Sequence, residues 1–219
     1  MILTPRPLVR ETATFRDDRL FIVACEDTYA PKQYFDLFEI PRVQIYVAPT
    51  EGGLSSPQHV LDRLLSIEHA EYDERWLLLD VDHRSAGPHV ANLIRTLSEA
   101  RRQGVNAAIC NPCFELWLLL HHRAEDELGE FVDCSVMQGV LRQVLGGYNK
   151  RRLNSQQFTR QSVAEATARA RRLDQTAPWS VPEGYAAQVH RLWEAIVAEA
   201  APHQLPPEFQ AILRRPGAN

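Results

Sequence analysis

The chain has 219 residues, of which 45% are hydrophobic and 24% charged. This is ordinary globular composition, long enough for a sizeable core and one or two domains. No apolar run reaches transmembrane length, and the first residues lack the charge, apolar stretch and cleavage site of a signal peptide. Four cysteines without a framework spacing indicate a reducing compartment. We therefore expect a cytoplasmic protein without a membrane partner.

The net charge of −4 conceals a basic segment. Between Arg142 and Asp174 there are eight basic residues against two acidic ones, a net charge of +6. A basic segment on an acidic body suits the binding of an anionic polymer beside a metal site. The alternative is a solvated helix face whose arginines point to water, and composition leaves both open.

Strands and helices alternate in the first half of the chain. Apolar runs predict strands at 19–25, 42–48, 75–80 and 105–110. Helical spacing and capping residues predict helices at 31–39, about 57–67 and about 88–103, and one from Asn111-Pro112 through His122. Such alternation predicts a mainly parallel α/β sheet with helices on both faces.

The second half of the chain shows a different pattern. Beyond residue 123 no strand is predicted, and helices are expected at 134–145, 160–174, 183–199 and 207–214. We therefore predict an α/β catalytic domain over 19–125, followed by a helical, basic C-terminal region over 126–219.

Carboxylates stand where two of the predicted strands end. Glu26 follows the apolar run 20–25, and Asp80 and Asp82 close the run 76–79. Ligands bind at the carboxyl ends of parallel strands, and alternate residues of an extended segment point to one side. Hard cations such as Mg²⁺ or Mn²⁺ prefer these oxygen ligands. We predict that Asp80 and Asp82 hold a metal ion, with Glu26 free for proton transfer or a further metal contact; otherwise these acids are ordinary loop residues or helix caps.

The segment from Asn111 to His122 has the residues of a helix start. Asn111 suits a helix N-cap and Pro112 a first helical turn, while Glu115 stands where an acid favours the helix dipole. From its position in the segment, Glu115 is thus a dipole-stabilising residue. The spacing of Cys110 and Cys113 also fits a thioredoxin-like redox pair, which we disfavour.

These residues carry a family resemblance. A Glu at the end of one strand and an Asp-x-Asp at the end of a later one resemble the Toprim domain of topoisomerases, primases and nucleases. The stretch from Phe21 to Glu26, with Tyr34-Phe35 after it, resembles the opening motif of the RloB-like family. Four other stretches resemble further motifs of that family: 72–76 leading into 79–83, then 111–121, 148–150 and 189–192.

The resemblance implies a Toprim-like, Mg²⁺-dependent nuclease of bacterial anti-phage defence islands, often found beside an ATPase partner. Within it, Glu26 matches the catalytic Glu, and Asp80 and Asp82 match the metal-binding pair. Glu115 matches the acid of the Asn-Pro-x-Phe-Glu motif, which makes it a further catalytic candidate, with dipole stabilisation as the alternative. A homodimer is plausible by family analogy. The chain departs from the family pattern at Asp27, where a Gly is usual.

Basic residues supply the predicted contacts to nucleic acid. The best phosphate-binding candidates are Lys150, Arg151, Arg152 and Arg160. Tyr148 is either a base-stacking side chain or a core or rim tyrosine. We expect a metal-dependent endonuclease acting on DNA or RNA, with tRNA among the candidates.

Two other functions stay open. The strand-end Asp-Val-Asp also fits a haloacid-dehalogenase-like phosphatase, although Arg84 stands where those enzymes usually have Thr or Val. From a different class, the chain fits a non-catalytic or partner-gated subunit that uses its helical region to dock an ATPase.

Overall fold

The structure is a computed structural model that describes residues 18–50, 54–81, 88–130 and 133–214. The strands are β1 (Arg19–Cys25), β2 (Val43–Ala48), β3 (Glu74–Asp80), β4 (Asn106–Asn111) and β5 (Ala186–Ala187). The helices are α1 (Tyr29–Phe35), α2 (Pro57–Leu65), α3 (Pro88–Arg102), α4 (Glu115–Leu120), α5 (Cys134–Leu145), α6 (Arg160–Leu173), α7 (Val189–Glu199) and α8 (Pro207–Leu213).

The strands form one sheet in the order β2-β1-β3-β4-β5. The first four strands are parallel, and β5 pairs antiparallel with β4. Cys25 pairs with Leu78 and Asp80 with Cys110, so β1, β3 and β4 end at the same edge. The predicted Toprim-like α/β fold with a mainly parallel sheet is confirmed.

Helices cover both faces of the sheet because the buried strands are apolar on both sides. Leu20, Ile22 and Ala24 of β1 face α2 and α3. The alternate residues of β1, Phe21 and Val23, face a larger cluster that includes α1 and α4 to α8. This two-residue alternation follows from the pleat of a strand, and near-continuous apolar strands are typical of buried parallel sheets.

Local features account for the start of α2 and the end of α3. The Ser56 hydroxyl accepts a hydrogen bond from the His59 N–H, and Pro57 is the first residue of α2. Gly104 has φ +66° just after α3, a left-handed conformation that glycine adopts without steric cost.

The predicted start of the helix after β4 is wrong. Asn111 is the last residue of β4 and pairs with Ala186, while its side-chain Nδ2 donates to the Pro182 carbonyl oxygen at 3.0 Å. Its backbone is therefore committed to the sheet and cannot cap a helix. Helix α4 begins only at Glu115, with Phe114 at the N-cap position.

The expected absence of a strand after residue 123 is also wrong. Ala186 and Ala187 form β5, and the Gln188 N–H donates to the Ile109 carbonyl oxygen at 3.0 Å. Two residues are too few to show a strand period, and the helix predicted from 183 begins at Val189.

The predicted domain boundary near residue 125 stays a prediction. Residues from both sides of it, including Phe21, Trp117, Leu141 and Trp193, pack in one buried cluster. Within the described part of the chain, no helix combines the length and apolar character needed to cross a membrane.

Candidate functional site

A pocket of about 180 Å³ lies at the carboxyl edge of the sheet. Its wall includes Glu26 directly after β1, Asp80 at the end of β3, and Glu115 in the first turn of α4. We call it the carboxylate pocket. Three of the four acids predicted for the site are therefore brought together from three separate elements.

The pocket strongly perturbs the pKa of Asp80. Burial raises its pKa well above the usual value, and the neighbouring charges of Glu26 and Glu115 raise it further. A hydrogen bond from the Phe114 backbone N–H acts in the opposite direction. Like charges gathered in a partly buried cleft are unfavourable for folding, and such clustering is typical of functional sites.

Glu115 is buried, with only 5% of the residue exposed, and hydrogen bonds hold its side chain in place. Its Oε1 accepts hydrogen bonds from Gln138 Nε2 at 2.8 Å and from the Tyr148 hydroxyl at 3.0 Å. Glu115 thus occupies both the pocket and the first turn of α4, the two positions that the sequence left as alternatives. Tyr148 is turned toward this carboxylate, which favours the rim role over base stacking.

Asp82, the fourth predicted acid, lies outside the described residues. Across the described ranges, no group of three or more His, Cys, Asp or Glu side chains is arranged to hold a metal ion. The donors of the pocket nevertheless fit Mg²⁺ chemically, because that ion is usually bound by one or two carboxylates together with water and substrate phosphate.

The cysteines near the pocket do not have the character of reactive thiols. Cys110 and Cys113 are both buried. Burial raises the pKa of Cys110, and a hydrogen bond to Cys134 together with burial raises that of Cys113. Reactive cysteines have lowered pKa values, so the structure gives no support to the redox interpretation.

Two of the predicted nucleic-acid contacts lie beside the pocket. Lys150 Nζ is 2.6 Å from Asp27 Oδ2, and Asp27 lines the pocket. The Arg151 guanidinium lies 4.7 Å from the centre of the Tyr29 ring. Arg152 and Arg160 are exposed but do not line the pocket.

The arginines at the end of α6 are engaged within the protein. Arg171 pairs with Glu194 at 2.7 Å and Arg172 with Glu125. Arg169 donates to the Leu120 carbonyl oxygen at 2.7 Å. The fold therefore partly neutralises the basic character of the segment. Arg169 and Arg171 are each only 20% exposed, whereas Arg172 is 57% exposed and forms a surface ion pair.

Several residues of the site were not predicted from the sequence. Gln138 and Cys134 come from α5 and line the pocket, but an isolated Gln or Cys on a helix gives no signal. Asp27 was noted only as a departure from a family pattern. The structure gives it two partners, since it also accepts a hydrogen bond from the Tyr29 N–H at 2.9 Å.

Tyr34 and His121, which lie in motif stretches, belong to the core instead of the pocket. The fully buried Tyr34 hydroxyl accepts a hydrogen bond from Trp193 Nε1 and lies 3.1 Å from His121 Nε2. His121 Nδ1 lies 2.9 Å from the Ser162 hydroxyl. Burial lowers the pKa of His121, so a neutral ring that accepts from Tyr34 and donates to Ser162 satisfies each group.

A second group of charged residues joins α6 to α7, and we call it the ion cluster. Asp174 Oδ2 lies 2.6 Å from Arg191 and 3.0 Å from His190 Nε2, while His190 Nδ1 lies 2.8 Å from Glu194. Arg171 completes the cluster on Glu194. Although burial opposes it, the hydrogen bond from His190 and the charge of Arg191 lower the pKa of Asp174 to about 2.

Comparison with known protein families gave a match over most of the chain. The family model described as RloB-like protein matches residues 21–196. Neither the comparison with curated proteins nor that with solved structures gave a significant match.

Proposed function

Since this chain belongs to the RloB-like family, we propose that it is a metal-dependent nuclease that hydrolyses phosphodiester bonds of DNA or RNA at the carboxylate pocket. One observation carries the proposal. Glu26, Asp80 and Glu115 come from three elements and meet at the carboxyl edge of a parallel sheet, where α/β folds bind their ligands.

The electrostatics of the pocket support a divalent cation as the cofactor. Burial and then the charges of Glu26 and Glu115 raise the pKa of Asp80, and a bound cation would offset both effects on the carboxylate. Glu26 and Asp80 would hold Mg²⁺ or Mn²⁺, with Asp82 as the further ligand expected from the sequence. The bound ion would supply polarisation of the scissile phosphate and a lower pKa for water.

The side chains around the pocket have distinct roles in this proposal. Glu26 accepts a proton from the attacking water or contributes a ligand. Glu115, fixed by Gln138 and Tyr148, would keep a further carboxylate in the pocket beside the bound cation. Lys150 and Arg151 bind the anionic polymer beside the pocket, with an affinity that falls as salt rises.

A cleavage assay tests the proposal. Wild-type protein and the Asp80→Asn variant are incubated with end-labelled single-stranded DNA, duplex DNA and tRNA in Mg²⁺, Mn²⁺ or EDTA. We expect cleavage that needs the metal and falls at least about 1000-fold in the variant. Asp62→Asn, an exposed acid on α2, is the matched control and should cleave like the wild type. Cleavage that persists in EDTA or in Asp80→Asn would contradict the proposal.

The proposal extends to bacterial anti-phage defence with an ATPase as the partner that controls cleavage. Its basis is the resemblance to proteins often found beside such ATPases. The assay is therefore repeated with the neighbouring ATPase and ATP. Activity that appears only in the mixture would establish a partner-gated nuclease, and inactivity in both conditions would rule out the nuclease.

A further inference from the structure

An exposed aromatic ring stands directly beside the carboxylate pocket. Tyr29 is 50% exposed, although most large apolar side chains of this chain are buried. Its N–H donates to Asp27 Oδ1 at 2.9 Å, and Asp27 lines the pocket. Arg151 lies over the ring at 4.7 Å and Lys150 Nζ lies 6.0 Å from its centre. We call Tyr29, Lys150 and Arg151 the rim.

The backbone around the two cations of the rim is anchored to α1 by Gln33. Gln33 Nε2 donates to the Lys150 carbonyl oxygen at 2.8 Å, and Gln33 Oε1 accepts from the Leu153 N–H at 2.9 Å. Both contacts tie the segment to α1, which also carries Tyr29. The backbone that carries the cations is therefore anchored beside the ring before any ligand binds, which lowers the entropic cost of binding.

The chemistry of the rim matches an unstacked nucleotide. A tyrosine face and a guanidinium plane are the groups on which bases stack in single-strand-binding proteins. The Lys150–Asp27 pair is partly exposed, with 45% and 35% of the side chains accessible. Such a pair contributes little to stability, so a phosphate can replace the carboxylate as the partner of Lys150.

We infer that Tyr29 and Arg151 form a stacking platform for an unpaired base, that Lys150 binds the adjacent phosphate, and that the substrate is therefore a single-stranded nucleic acid. This inference rests on the proposed function, because it names the substrate class of the same pocket. A base inside a duplex has both faces covered by its neighbours and cannot use the platform without being extruded.

Binding is measured apart from cleavage. The full chain carrying Asp80→Asn is titrated into a fluorescein-labelled oligo-dT, an oligo-rU and a duplex of equal length, and anisotropy is recorded. We expect single strands to bind at least about 10-fold more tightly than the duplex, and the dT and rU arms to show whether DNA or RNA is preferred. When Tyr29→Ala is introduced into the Asp80→Asn chain, single-strand binding should weaken about 10-fold, whereas Tyr29→Phe should leave it unchanged.

Tyr72 provides a matched control. It is 44% exposed and also has an arginine near its ring, Arg19 at 5.9 Å. However, it precedes β3 and so lies at the opposite edge of the sheet from the pocket. Tyr72→Ala should therefore bind single strands as the parent does. Duplex binding as tight as single-strand binding, or equal losses in the two alanine variants, would overturn the inference.

The outcome separates this inference from the proposed nuclease. Metal-dependent cleavage of duplex DNA that is unchanged by Tyr29→Ala would leave the nuclease standing and overturn the platform. Tyr29-dependent binding of single strands without cleavage of any polymer would support the platform and count against the nuclease. Failure to bind any oligonucleotide would overturn the platform.

Discussion

The carboxylate pocket and the ion cluster both gather ionisable side chains, but they balance charge in opposite ways. In the ion cluster, Asp174 is 1% exposed and is contacted by Arg191 and His190. In the carboxylate pocket, burial raises the pKa of Asp80, and the charges of Glu26 and Glu115 raise it further. The pKa of Asp174 is lowered and that of Asp80 is raised, although both are aspartates in a folded interior.

This difference indicates which cluster serves the fold and which serves a ligand. A carboxyl group whose pKa is lowered stabilises the native state above its unfolded pKa, while one whose pKa is raised destabilises it there. The chain therefore bears an unfavourable cluster at the sheet edge and a favourable one between α6 and α7. Substitutions in the two clusters should have opposite effects on stability.

Asp174→Asn should produce the largest effect on stability. Removing one partner of a buried pair leaves Arg191 and His190 without their shared carboxylate, so we expect a loss of about 3 kcal/mol in the free energy of unfolding. Urea titration at pH 7 measures it, and the thermal midpoint should fall by about 10 °C. Asp62→Asn serves as the exposed control. If Asp174→Asn and Asp62→Asn changed the free energy of unfolding equally, the ion cluster would not stabilise the fold.

Glu115→Gln tests whether this acid acts in the pocket or only stabilises α4. Loss of the charge should lower cleavage about 100-fold while the protein stays folded. Tyr148→Phe removes one hydrogen bond to the same carboxylate and should have a much smaller effect on cleavage. Wild-type cleavage by Glu115→Gln would assign Glu115 to the helix dipole alone.

Asp80→Asn should stabilise the metal-free protein by about 1 kcal/mol, because it removes one of the clustered charges. The unfavourable contribution of Asp80 appears as the pH rises above its unfolded pKa, so the gain should be smaller at pH 5 than at pH 8. Denaturant titration in EDTA measures it at both pH values.

Adding Mg²⁺ to the same titration extends the test. The ion should stabilise the wild type and leave Asp80→Asn nearly unchanged, because only binding to the native state stabilises it. If Asp80→Asn is less stable than the wild type in EDTA, the gathered acids of the pocket do not destabilise the fold.

The smallest effect concerns His190. Although burial opposes its charge, hydrogen bonds to Asp174 and Glu194 raise its pKa. Its stabilising contribution is complete below about pH 6.5 and is lost as the pH rises through the folded-state value. The stability difference between wild type and His190→Gln should therefore be larger at pH 6 than at pH 9, as chemical denaturation at the two pH values will show. A difference that is independent of pH would mean that His190 is not charged in the cluster.

Local patterns determined much of the fold. The apolar runs predicted β1 to β4 because a buried parallel strand needs apolar residues on both faces. Residues 134–145 were predicted as a helix, and α5 spans Cys134–Leu145. Glu26 and Asp80 were found because acids at strand ends stand out against apolar neighbours, whereas Glu115 became a site candidate only through the family resemblance.

Tertiary structure decided what depends on distant residues. The short β5 forms only because β4 offers a free edge to Ala186 and Ala187. That pairing keeps Asn111 in the strand, so no helix starts there. Likewise, only the fold brings Lys150 to Asp27, 123 positions away, and Arg151 to Tyr29. Sequence determined which segments are buried because burial depends on local apolar content, whereas charge partners depend on the path of the whole chain.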